Sequence, residues 1–239
     1  MVCARACLLA GLLEGVSVCG PVASASEQPE LTVRVYDLAH VQSRALRRAQ
    51  QVAGRILQNA GIRPVWAVGN EDARESRLVD ADAAGGRACN DALRPAEVSV
   101  RLAPAAPPGL PPLALGFALP CARYGVQVTL FVDRIERAAA RVPPSYATVL
   151  GHALAHEVGH VLLRSERHAS TGLMRAVWSR EDWQRMSASG LWLTAEEAAA
   201  IRGGLPGVPR PPASTSSLSA LGSGVEQPVV VDEKRARIR

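Results

Sequence analysis

The sequence predicts an α+β domain: a sheet of about four to five strands with one helix backing it, a second long helix that carries the chemistry, and two shorter helices closing the chain. Three observations lead there. Short alternating or apolar runs of strand length fill the first half, a helical apolar period lies between two of them, and a proline pair opens a long helix in the second half. A chain of 239 residues with 48% hydrophobic content buries one core of ordinary size, so one domain plus tails is expected.

Taken in order, residues 31–36 alternate apolar and polar positions, as a strand with one covered face does. Residues 43–60 place Leu46, Ala49, Val52, Ala53, Ile56 and Leu57 on a helical period, with Gly61 at a C-cap position. Residues 63–68 and 97–102 read as two further strands across a polar connection. The stretch 103–112 holds five prolines and must be irregular. After it, 113–119 and 126–132 are apolar runs of strand length. The long helix is expected at 146–163, after Pro143 and Pro144. Two closing helices follow, at 180–186 and 194–202, the second with Thr194 as N-cap and Glu196 and Glu197 in its first turn.

Both ends read as something other than fold. Residues 1–25 look like a targeting segment, with Arg5 near the start, an apolar stretch at 7–13 and small residues Ala23, Ser24 and Ala25 before Ser26. Export to the periplasm or the extracellular space is the expectation. Only Cys89 and Cys121 would then remain, and an oxidising compartment would let them pair; the alternative is two free thiols. From 204 onward, repeated Pro, Gly and Ser give way to a charged end, a composition expected to stay disordered. The folded domain is therefore placed at 26–203.

Charge and hydropathy exclude some partners. The formal charge of +5 comes from 27 Lys and Arg dispersed among 22 acids, without a long basic stripe interleaved with aromatics, so no nucleic-acid partner is expected. No stretch reaches the roughly 18 apolar residues of a membrane span. A soluble monomer is the expected state.

The chemistry lies in His156-Glu157-Val158-Gly159-His160. Four residues apart on a helix, His156 and His160 stand about 40° apart on one face, so both imidazoles reach one metal. Glu157 is rotated about 100° from His156 and stands beside the metal as a base. A Zn²⁺ with three protein ligands keeps a position for water and lowers its pKa to about 7, while the glutamate accepts the proton during attack on a peptide carbonyl. Four of the five histidines fall between 152 and 168. His152 is followed by Ala153, so only the 156/160 pair comes with a base; His152 reads as a supporting or surface residue.

These residues, with His168 and the run Ser170-Thr171-Gly172-Leu173-Met174-Arg175, make the chain resemble the metzincin-like zinc proteases, and more closely a group of exported bacterial proteins of this size. The resemblance implies a zincin fold, a mixed sheet whose short strand near 115–118 borders the substrate cleft, Met174 in a turn beneath the metal, a Zn²⁺ cofactor and a peptide or protein substrate. It covers roughly 31–203. The chain departs from the usual metzincin at Leu163 and Glu166, where Gly and a third His would stand, and no Tyr closely follows Met174.

The third ligand is open among His168, Glu166 and Glu181. Glu166 is explained by a solvated loop between Arg164 and Arg167, and Glu181 by the preference of a helix first turn for acids. His168 offers an imidazole and precedes Met174 in the order of the resembled family, so His168 is expected. The predicted activity is zinc-dependent peptide-bond hydrolysis with Glu157 as general base; the alternative is a secreted non-catalytic zinc-binding or interaction module with the same fold.

Overall fold

The computed structural model describes residues 28–69, 96–122, 125–204 and 230–231. Strand β1 (Glu30–Asp37) leads through helix α1 (Ser43–Asn59) to β2 (Arg63–Val68), which pairs with it in parallel. On its other side β1 pairs in parallel with β3 (Glu97–Ala103), and β3 with β5 (Val128–Phe131). The short β4 (Gly116–Ala118) runs antiparallel to β5 at the edge, giving a mixed five-stranded sheet in the order β2-β1-β3-β5-β4. The expected α+β class and strand number are therefore observed.

One sheet face makes the core. Leu31, Val33 and Val35 of β1 are buried at alternate positions, as are Val98, Val100 and Leu102 of β3. The other face carries polar pairs such as Arg34 with Glu97 (2.8 Å) and Arg101 with Thr129 (3.1 Å). α1 ends as its sequence suggests: Gly61 takes φ +82°, and the Gly61 and Ile62 N–H groups donate to Gln58 and Leu57 carbonyls.

Against the core lies α3 (Tyr146–Leu163), the helix expected at 146–163, capped by the Ser145 side chain, which accepts from the Thr148 N–H. From Val149 to Leu162 every residue is buried. A helix apolar on all sides must sit in the middle of a structure. α3 accordingly touches α1, β4 and β5, together with α2 (Val132–Ala139), α4 (Arg180–Ala188) and α5 (Ala195–Arg202). Gly151 permits the closest approach to α1: a Cβ there would stand 2.7 Å from the Ala49 carbonyl oxygen and 2.6 Å from Val52 Cβ.

Two departures from the sequence reading stand out. α2 was not expected; it starts at Val132, the last residue of the predicted run 126–132, and its buried Val132, Ile135 and Ala138 follow helical rather than strand spacing. Within the stretch from 204 expected to lack structure, β7 (Val230–Val231) pairs in parallel with β6 (Val177–Trp178); the rest of that stretch, the segment 1–25 and Cys89 lie outside the described residues. Cys121 is disulfide-bonded. Among the described residues no helix is long and apolar enough to cross a membrane.

Candidate metal centre

α3 delivers His156, Glu157 and His160 at 0%, 1% and 2% exposure, so none of the three is a solvated surface residue. The chain then turns at Arg164, a left-handed residue at φ 52°, and the Ser165 N–H donates back to the His160 carbonyl. That reversal returns His168 to the helix. The ligand-capable atoms of His156, His160 and His168 all lie within 4.8 Å of one another, an arrangement that could hold a metal ion.

The hydrogen bonds around the rings decide which nitrogens face inward. His156 Nδ1 lies 2.8 Å from the Leu173 carbonyl and His160 Nδ1 lies 2.7 Å from the Ser165 carbonyl. A carbonyl only accepts, so each Nδ1 carries the proton and each Nε2 presents its lone pair. These Nε2 atoms are 3.0 Å apart, and His160 Nε2 is 3.2 Å from His168 Nε2. No proton remains for a bond between His156 and His160. Convergent lone pairs at this spacing are unfavourable alone and suited to a shared cation, which is the fit a divalent metal requires.

Electrostatics point the same way. Burial holds His156 well below the usual imidazole range, with His160 adding to the effect, and burial lowers His160 to about 4 and lowers His168 as well. The rings are therefore neutral at pH 7, the state in which imidazole binds metal. Burial pushes the Glu157 carboxyl well above the ordinary range, and its Oε1 has no hydrogen-bond partner among the described residues. A buried carboxyl with one oxygen left unbonded is costly in a merely structural role.

A support shell holds the cluster. Gly172, at φ +75°, turns the chain, and the Leu173 N–H donates to the Trp192 carbonyl. The Leu173 carbonyl accepts from both His156 Nδ1 and Trp178 Nε1, the latter at 3.0 Å, while the Trp178 ring stands edge-on to His156 with centroids 5.7 Å apart. Met174 is buried, with its sulfur against Gly159, where a Cβ would come within 2.8 Å of it. Asp182, fully buried, accepts from the Ser179 N–H and from Arg175 at 2.8 Å each and is also paired with Arg185, which anchors the segment after Met174.

The other candidates are elsewhere. Glu166 is exposed on the return loop and Glu181 is exposed in the first turn of α4, its carboxyl lowered mainly by backbone and Ser179 hydrogen bonds; neither joins the cluster. His152 is neither at the surface nor beside the cluster: it is buried, its Nδ1 donates to the Thr148 carbonyl and its Nε2 accepts from the Leu191 N–H. Trp178 and Asp182 were not singled out in the sequence. For Asp182 the available signal was the Ser179-to-Asp182 capping-box spacing, and Gly159 inside a helix, where a glycine costs about 1 kcal/mol, marked the close approach of Met174.

No protein-family model matches this chain, and no curated protein matches it. Among solved structures it is similar to a zinc-dependent peptidase from Methanocorpusculum labreanum at 12% identity and a TM-score of 0.44, over 71% of this chain and 99% of that one. It is also similar to archaemetzincin from Methanopyrus kandleri at 13% identity and a TM-score of 0.44, over 76% of this chain and 98% of that one.

Proposed function

We propose that this chain is a zinc-dependent peptide-bond hydrolase of metzincin-like type, with His156, His160 and His168 as the ligands and Glu157 as general base. The observation that carries the reading is the convergence of buried imidazole nitrogens whose outer nitrogens, at His156 and His160, are committed to backbone carbonyls. Three histidines fall short of the four protein ligands that a closed structural zinc site would use, the count expected where water or substrate must also reach the metal.

A zinc ion bound there would acidify a water and polarise the scissile carbonyl. The chain's own residues do the rest. Glu157 is favoured as its carboxylate where a divalent cation held by the histidines offsets the burial that raises it, and that carboxylate takes the proton from the attacking water and hands it to the departing amine nitrogen. Among the described residues no competing hydrogen bond reaches its Oε1, so that oxygen stays available to reactants. The Leu173 carbonyl holds the His156 ring in one tautomer throughout. The substrate is a peptide or protein and the working state a monomer. The disulfide at Cys121 fits the exported location read from residues 1–25.

Replacing Glu157 by Gln tests the mechanism, because the amide keeps the shape and removes the proton acceptor. Metal analysis should find wild-type zinc content in the variant, while cleavage of a peptide library falls by roughly 10²- to 10⁴-fold. Wild-type cleavage by the variant would refute the base assignment. A zinc-loaded wild-type chain that cleaves no peptide would instead favour the non-catalytic binding module.

A further inference from the structure

Away from the clustered histidines, α1, the first turns of α3 and the end of α4 enclose a cavity of about 320 Å³. Its walls include Arg48 and Arg55 from α1, Thr148 from α3, Ser187 at the end of α4, Ser189 just after it, and Trp192; among the described residues no acidic side chain lines it. His152 is also in the wall, but both of its ring nitrogens are already bonded to backbone. None of His156, Glu157, His160 and His168 lines this cavity.

Arg48 and Arg55 are exposed, as are Arg44 and Arg47 on the same helix, and what sets the first two apart is that both line one concavity. Arg48 and Arg55 meet no carboxylate among the described residues. Seven positions apart on α1, they lie about 20° apart around the helix and roughly 10 Å apart along its axis, so both flank the cavity from one stripe. Arg55 is close enough to add to burial in disfavouring a charge on His152. Two like charges on one concavity whose described lining holds no carboxylate create a potential that concentrates anions, and guanidinium geometry matches carboxylate and phosphate oxygens. Serine and threonine hydroxyls supply neutral donors, and the Trp192 ring supplies an apolar wall for a carbon skeleton.

We propose that this cavity is a binding site for a small anion bearing carboxylate or phosphate groups, held between Arg48 and Arg55 and distinct from the metal centre. The test is calorimetric titration of the full chain with inorganic phosphate and, separately, with succinate, run on wild type, Arg48→Ala, Arg55→Ala and the double variant, with circular dichroism confirming the fold of each. Saturable binding of at least one probe is expected, weakened about tenfold or more by each single substitution and further by both. Binding of phosphate alone or of succinate alone supports the site and identifies its ligand chemistry. Absence of saturation by either probe up to about 50 mM, or equal affinity in wild type and the double variant, overturns it. Zinc content should be unchanged in all variants, so the result stands apart from the proposed hydrolase activity.

Discussion

His152 and His156 lie one turn apart on α3, both are buried, and both donate Nδ1–H to a backbone carbonyl at 2.8 Å. Burial is the main cause that depresses the pKa of each. They differ at Nε2. The His152 nitrogen accepts the Leu191 N–H at 3.1 Å, whereas the His156 nitrogen faces the His160 imidazole at 3.0 Å. A histidine whose two nitrogens are both bonded to backbone is a strut between segments; one with a fixed inward lone pair keeps a nitrogen that could bind a metal. Residue type, burial and helix position are the same in both cases, so the partner of one atom separates the two roles.

The largest expected effect breaks the metal half of this contrast. His168→Ala should lose zinc by orders of magnitude in a competition assay with a chromophoric chelator, while His152→Ala, Glu166→Ala and Glu181→Ala keep it. Retention of tight zinc by the His168 variant, with loss in either glutamate variant, would move the third ligand there.

The strut half is exposed by pH. Folded His152 titrates at about 4, against about 6.5 for an unfolded histidine. Between those values the unfolded state binds more protons, so the His152 contribution is present above pH 6.5 and is lost as pH falls towards 4, by roughly 3 kcal/mol over the window. Urea unfolding of His152→Gln should therefore depend less steeply on pH between about 6.5 and 4 than wild type does. Parallel slopes would show that His152 is not the group responsible.

Trp178→Phe sharpens the ligand half without touching a ligand. The ring stays apolar, but the Leu173 carbonyl loses one donor and His156 loses part of its orientation. Zinc affinity should drop by roughly 10- to 100-fold, the usual consequence of removing a group behind a metal-binding histidine. An unchanged dissociation constant would leave Trp178 as core packing only.

The smallest effect belongs to Gly159→Ala. The added methyl meets the Met174 sulfur at 2.8 Å, so Met174 must shift, and a thermal melt should show a loss of about 1 to 3 kcal/mol despite the better helix propensity of alanine. A stabilised variant would mean that the sulfur has room to move.

How much of this was legible follows the range of the interactions. The span of α3 was read correctly because its determinants are local: Pro143 and Pro144, the Ser145 cap and an apolar run. The juxtaposition of His156 and His160 was legible for the same reason, since helix geometry alone puts residues four apart on one face. Both capping boxes, Ser179 with Asp182 and Thr194 with Glu197, are likewise set within three residues. α2 was obscured because its first residue closes the apolar run that begins in β5, and a short apolar run does not reveal its period.

Tertiary structure alone decided the remainder. The pairing of β4 antiparallel to β5, the return of His168 rather than Glu166 or Glu181 to the helix, the Leu191 N–H that occupies His152, and the joint use of the Leu173 carbonyl by His156 and Trp178 all join segments that no local rule brings together. Composition and periodicity specify which face of an element is buried; the atom that meets a given nitrogen depends on where the chain crosses itself. For this protein that crossing is the turn from Arg164 to Met174, which makes two helical histidines into a three-nitrogen site.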